Sequence, residues 1–251
     1  MRTATLALRG GELELLDVAG ETPALLLLHE GLGSIGLWRT FPHELAAATG
    51  CRTIAYSRFG HGRSDPAPNP RTGAFMHEEA LEVLPAVIDR LELELPLLVG
   101  HSDGASIALI YASSHRLHGV VAIAPHVFVE ERCLQGIART REAYLRTGLR
   151  ERLAAHHRDP DAVFYGWCDV WLDPEFRSWD IRELIPRIEC SMLLIQGERD
   201  QYATMAQLDA IEQAARAPVE RVHLDADHSP HLERRRETVA AVAPFVERIG
   251  R

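Results

Sequence analysis

The stretch LLVGHSDGASIALIYA, Leu97 to Ala112, decides how the rest of the chain is read. A short apolar run ends at Gly100, Ser102 follows with a second glycine at position 104, and an apolar segment with helical spacing begins. A strand that passes at once into a helix needs a sharp bend. Glycines two before and two after the serine allow it without side-chain clashes. The bend lifts the hydroxyl above the sheet. The helix start behind it offers unpaired N–H groups and the positive end of the dipole, which stabilise developing negative charge. A plain turn serine is the bland alternative; Gly-x-Ser-x-Gly between a buried strand and a helix is the seat of a nucleophile.

Outward from this stretch, strands and helices alternate. ATLAL and ELELLDV flank Gly10-Gly11 as an opening hairpin. ALLLLH reads as a buried strand, and RTIAY, PLLVG, GVVAIAP, CSMLLIQG and VERVHL read as further strands. LWRTFPHELAAA, MHEEALEVLPAVIDRLEL, MAQLDAIEQAARA and PHLERRRETVAAVAPFVERI read as helices, the last with Ser229 as N-cap and Pro230 at its first position. Residues 57–73 form a loop rich in Gly and Pro. Such alternation predicts an α/β fold, a mostly parallel sheet with helices on both faces. Residues 126–187 break the pattern. They hold helical segments, no convincing strand, and Trp167, Trp171 and Trp179 of the four tryptophans. They are expected to form a helical insertion in a core made of residues 1–125 and 188–251. Phe164, Trp167 and Trp171 recur at helical spacing, either to pack the insertion or to line a pocket.

Composition narrows the function. The 251 residues are 46% apolar and 25% charged, ordinary for a globular chain. With 27 basic against 36 acidic residues the net charge is −9, which argues against nucleic acid or an anionic membrane and otherwise serves solubility; the expected partner is a small-molecule substrate. Cys51, Cys133, Cys168 and Cys190 are widely spread and read as free thiols in a reducing compartment. The first residues lack a secretory signal's apolar core, and ALLLL is far short of a membrane span, so a cytoplasmic protein is expected. The oligomeric state is not readable.

A serine nucleophile needs a base, and the base an orienting acid. Sites in open α/β sheets lie at the carboxyl ends of strands. Among 13 histidines, His228 stands just after the strand VERVHL and before the last helix. His223 within that strand and His231 in the helix's first turn read as structural or surface residues. Asp200 follows the preceding strand in GERD. The other position for an acid, after GVVAIAP, offers His126 and no carboxylate before Glu130.

These residues resemble the α/β-hydrolase family over nearly the whole chain: LLLLHEGLGS, SRFGHGRSD, GHSDG, GERD and DHSPHLE are the matching motifs. The resemblance implies Ser102 as nucleophile, His228 as general base and Asp200 as its orienter. It implies an oxyanion hole from the backbone N–H of Asp103 and of Gly31, or Leu32 in its place, and a cap formed by residues 126–187. Glu30, Leu32, His126, Trp167, Trp171 and Tyr202 are the candidate substrate contacts. One departure stands out: many members carry His-Gly where this chain has His29-Glu30. A carboxylate there would oppose an oxyanion, so Glu30 is expected to pair with Arg58 or to face a substrate group that donates hydrogen bonds.

Other classes fit less well. Gly31-x-Gly33-x-x-Gly36 has the form of a dinucleotide fingerprint. Two residues separate it from the strand, however, and the next strand ends in Ser57-Arg58 without the acidic ribose partner. His223, His228 and His231 lack a usual zinc-ligand spacing, and His156-His157 read as surface residues. No cofactor and no metal are expected. A non-catalytic ligand receptor would not need the complete triad. The expected reaction is hydrolysis of a carboxylic ester through an acyl-enzyme. The alternatives are carbon–carbon hydrolysis of a ring-cleavage diketone, and thioester or lactone hydrolysis.

Overall fold

The computed structural model describes residues 4–67 and 70–250. Strands β1 (Ala4–Leu8), β2 (Gly11–Val18) and β3 (Glu21–Leu28) lead to α1 (Phe41–Thr49) and β4 (Cys51–Tyr56). After α2 (Phe75–Glu78) and α3 (Leu84–Arg90) come β5 (Leu97–His101), α4 (Asp103–Ala112) and β6 (Gly119–Ile123). Helices α5 (Glu131–Ala143), α6 (Leu149–Ala154) and α7 (Pro160–Leu172) precede β7 (Ser191–Gly197), α8 (Ala206–Ala214) and β8 (Val219–Leu224). The chain closes with α9 (Pro230–Glu233) and α10 (Arg235–Ile249). The sheet has the order β1-β2-β4-β3-β5-β6-β7-β8. Only the pairings β1–β2 and β2–β4 are antiparallel.

The central strands are apolar throughout because both faces of the sheet are covered. Leu26, Leu28, Leu98, Val120 and Leu194 join the core shared with α3, α4 and the insertion. Leu25, Leu27, Leu97, Val121 and Leu193 join the opposite core with α1 and α10. Successive residues point to opposite faces, so each strand feeds both cores.

Helix boundaries depart from expectation at three places. MHEEALEVLPAVIDRLEL is α2, a π-helical turn at Glu79–Val83 and then α3. LWRTFPHELAAA is two pieces, a 3-10 turn at Ile35–Trp38 and then α1, with Arg39 at φ 53° between them. Pro42 has no N–H to give a helix interior but is accommodated in the first turn, so the helix restarts just ahead of it. The last helix breaks at Arg234 (φ −122°, ψ 48°), whose guanidinium is held by the Asp225 carbonyl and carboxylate at 2.8 Å each. Ser229 occupies the N-cap position, but its hydroxyl makes no capping bond. Glu233 instead accepts from Asp227 N–H at 2.8 Å and Ser229 N–H at 3.2 Å.

Between β6 and β7, residues 126–187 hold helices, two 3-10 turns and one isolated bridge, Phe128 with Asp180. Asp159 caps α7 by accepting from Ala162 N–H at 2.9 Å. Phe164 stacks on Tyr144 at 3.7 Å, which joins α7 to the end of α5. Among the described residues no helix is long and apolar enough to cross a membrane.

Candidate active site

Ser102 sits between β5 and α4 with φ 52° and ψ −119°, a conformation few L-residues adopt. Its N–H donates to Ile123 O at 2.9 Å, tying the turn to β6. The two glycines are there for space. A Cβ on Gly104 would overlap the carbonyl oxygen of Leu28, and one on Gly100 the carbonyl oxygen of Gly104.

His228 Nε2 lies 2.9 Å from Ser102 Oγ, and its Nδ1 lies 2.7 Å from Asp200 Oδ2. Asp200 also accepts from Gln196 Nε2 at 2.6 Å, Tyr202 N–H at 2.7 Å and Ala203 N–H at 3.1 Å. A carboxylate so supplied accepts from Nδ1–H, which leaves the Nε2 lone pair facing the serine. Burial pushes the Asp200 pKa up, but the charge and hydrogen bond of His228 and the Tyr202 N–H outweigh it, and the net shift is downward. For His228, burial lowers the pKa, but Asp200, Glu30 and Asp103 overcome it and the imidazole ends above its ordinary value. His101 holds the loop by donating from Nε2 to His228 O at 2.9 Å. His231 faces the other way, buried against Trp38, Phe41 and His101, and burial pulls its pKa down to about 3. His223 is exposed beside Arg221, so the three histidines do not converge on one point.

The turn after β3 runs past this group. Leu32 N–H donates to the Glu30 carboxylate, whereas Gly31 N–H has no protein acceptor among the described residues. Of the two second oxyanion donors expected, Gly31 is therefore the available one. Asp103 opens α4, where the N–H has no acceptor within the helix. The expected Glu30–Arg58 pair does not form. Arg58 donates Nη1 to His29 O at 2.5 Å and Nη2 to Glu30 O at 2.9 Å. The guanidinium holds the backbone of the turn, while the Glu30 side chain, bonded to Leu32 N–H, lines the pocket. Burial, reinforced by the charge of Asp103, pushes the Glu30 pKa up to about 7 despite the Leu32 N–H. Beyond Gly33 the chain makes only the short turn Ile35–Trp38, so the glycine pattern does not open the long helix a dinucleotide fingerprint needs.

A family model described as alpha/beta hydrolase fold matches residues 23–192. The chain belongs to that family. It is 24% identical to the serine hydrolase BPHL of Homo sapiens over 71% of this chain and 64% of that one. It is 32% identical to the proline iminopeptidase of Lactobacillus helveticus over 41% of this chain and 35% of that one. The chain thus spans under two thirds of each of these relatives. The crystal structure of the enol-lactonase from Burkholderia xenovorans LB400 superposes with a TM-score of 0.78 at 22% identity. It covers 97% of this chain and all of that one, and it speaks to the fold alone.

In this α/β-hydrolase-fold chain a pocket of about 250 Å³ opens above Ser102 and His228. Glu30, Gly31, Leu32, Asp103, His126, Trp167, Trp171 and Tyr202 all line it, so the residues picked from sequence come together. Trp167 and Trp171 are also buried in the main core, so packing and pocket lining hold at once. His126 Nδ1 is buried without a hydrogen-bond partner among the described residues, and the Trp171 indole N–H faces the buried Asp103 carboxyl and favours its charged form. Burial raises the Asp103 pKa and pulls that of His126 down to about 4. Cys133 and Ile137 on α5, His101 and Gln201 also face the pocket and had no sequence signal beyond their neighbours. His157, read as a surface residue, is 2% exposed and lies against the turn after β3. Its partners are 95 and 125 residues away in sequence, which local pattern cannot reveal.

Proposed function

We propose that this hydrolase cleaves a small carboxylic ester through an acyl-enzyme on Ser102. The observation that carries the proposal is the hydrogen-bonded chain Asp200–His228–Ser102 at a pocket floor flanked by the Gly31 and Asp103 N–H groups. Ser102 Oγ attacks the carbonyl carbon as His228 Nε2 takes its proton, and Asp200 stabilises the imidazolium. The tetrahedral oxyanion is met by the two N–H groups. His228 then protonates the departing alcohol, and water, deprotonated by the same imidazole, releases the acid. The insertion at residues 126–187 serves as a cap over this step. Thioesters, lactones and ring-cleavage diketones present the same electrophilic carbon. Steady-state rates on matched ester, thioester, lactone and diketone substrates test the choice; an ester rate no higher than the others overturns it.

Pocket size and charge narrow the substrate. The pocket, about 250 Å³, has room for a small acyl group. Its lining has two carboxyl groups, Glu30 and Asp103, and no lysine or arginine. With Arg58 engaged elsewhere, these carboxyls suit an acyl group that brings hydrogen-bond donors or positive charge.

Glu30 also sets the pH profile. His228 acts only when neutral, and its raised pKa places the acid limb of kcat/KM above the range of a free imidazole. Glu30 is one of the charges that raise it. Glu30→Gln is expected to move the limb to lower pH and to raise kcat for an uncharged ester at pH 8, where the wild-type carboxylate opposes the oxyanion. A carboxyl whose folded pKa is raised loses stability as pH climbs from its unfolded value to about 7, so at pH 8 the variant melts no lower than wild type. An unmoved limb and an unchanged rate would remove Glu30 from the site.

The cap's part is tested at Trp167, whose indole packs on Gly31. Trp167→Leu is expected to shift the rate ratio toward longer acyl chains. A lower melting temperature with a fixed ratio would make the residue core alone.

A further inference from the structure

We propose that the oxyanion donor of Gly31 is aimed from the far side of its turn by Arg58, and that His157 ties the insertion into the same turn. Both act as positioning residues. The inference rests on the proposed role of Gly31 as oxyanion donor.

In a trans peptide the C=O of one residue and the N–H of the next point in opposite directions. The peptide that carries Gly31 N–H also carries Glu30 O. That oxygen accepts from Arg58 Nη2 at 2.9 Å, His29 Nδ1 at 2.7 Å and Gly33 N–H at 3.0 Å. The His29 tautomer is fixed, because its Nε2 accepts from Arg58 N–H at 3.0 Å. Three donors pull the carbonyl away from the pocket and so turn Gly31 N–H toward it. The second arm of Arg58 holds His29 O, so one buried guanidinium spans two consecutive carbonyls as a fork.

His157 lies between α6 and α7, inside the insertion. Its Nδ1 accepts from Gly62 N–H at 2.9 Å, which puts the proton on Nε2, and Nε2–H donates to Leu32 O at 2.9 Å. The next residue returns the bond, Arg158 N–H donating to Gly62 O at 3.1 Å. One imidazole therefore joins the insertion, the loop after β4 and the turn bearing the oxyanion donor. A shift of the insertion moves Leu32 O and, through it, the peptide beside Gly31.

The test uses Arg58→Lys, which replaces the fork by one point donor. It also uses His157→Asn, whose amide oxygen can still face Gly62 but which cannot reach Leu32, and His157→Gln, whose amide nitrogen can. Probes are a trifluoromethyl ketone and the methyl ketone of the same chain. The first adds Ser102 Oγ across its carbonyl, the serine proton passes to His228, and an alkoxide is left in the oxyanion hole; the second binds as an uncharged ketone. Arg58→Lys and His157→Asn are expected to lower kcat and trifluoromethyl-ketone affinity by the same factor, roughly tenfold. That is less than the roughly 10²–10³-fold loss on deleting an oxyanion donor. KM and methyl-ketone affinity hold, and His157→Gln recovers most of the loss. Equal weakening of both ketones, or no loss in a folded His157→Asn protein, overturns the proposal. If Arg58→Lys does not fold, the two His157 variants decide. Failure of the parent reading looks different: wild-type enzyme would bind the trifluoromethyl ketone no tighter than the methyl ketone.

Discussion

A Ser102→Ala variant is expected to fold as wild type does and to lose about 10⁴–10⁶-fold in kcat. The change removes one oxygen from a turn whose backbone is set by Gly100, Gly104 and the Ser102 N–H to Ile123 O bond, all of which remain. Among the described residues no second hydroxyl meets His228 Nε2. His228→Ala is expected to lose nearly as much, because base and nucleophile act as one unit. His231→Ala, three residues on, removes an imidazole packed on Trp38 and Phe41 and should lower stability while leaving most of kcat. Kinetics and melting curves on the three variants check this. Loss of activity in His231→Ala with survival in His228→Ala would reverse the assignment.

The second large effect is on stability. Gly104→Ala adds one methyl group, yet that carbon would overlap the Leu28 carbonyl oxygen and press on the Leu28 carbonyl carbon and the His29 carbonyl oxygen. Its obstacles are backbone atoms at the end of a central strand, so no side chain can swing aside. A penalty of about 3 kcal/mol or more is expected, which lowers Tm by about 10 °C in a domain of this size or prevents soluble expression. Gly166→Ala, on α7 with no atom near the added carbon, is the matched control and should leave Tm unchanged or raise it. A Gly104→Ala protein melting within about 2 °C of wild type would show that the elbow yields more than its contacts imply.

The parts legible in the sequence are those that one chain segment dictates by itself. ALLLL and PLLVG read as buried strands because both faces of the sheet are covered, and the two cores divide their residues alternately. Ser102, Asp200 and His228 could be picked because each follows a strand end, and strand ends in a parallel sheet converge at one edge. What remained hidden depends on long-range partners. The sequence suggests Arg58, in the adjacent loop, as the partner of the Glu30 carboxylate, yet a guanidinium has five donors and here it serves carbonyl oxygens, which every residue type carries. His157 has no local mark of burial, since its contacts are with Gly62 and Leu32. The apolar spacing around Arg234 runs on through the break and predicts one continuous helix, while the break at Arg234 goes with side-chain bonds from its guanidinium to Asp225, nine residues away.

The most direct test of the mechanism is a mass measurement. Wild-type protein treated with an alkyl fluorophosphonate should gain one phosphonyl group, with fluoride lost, and peptide mapping should place it on Ser102. The His228→Ala protein should remain unlabelled on the same time scale. Label on any other serine, such as Ser34 or Ser229, or equal labelling of Ser102 in the His228→Ala protein, would contradict nucleophilic catalysis by this triad.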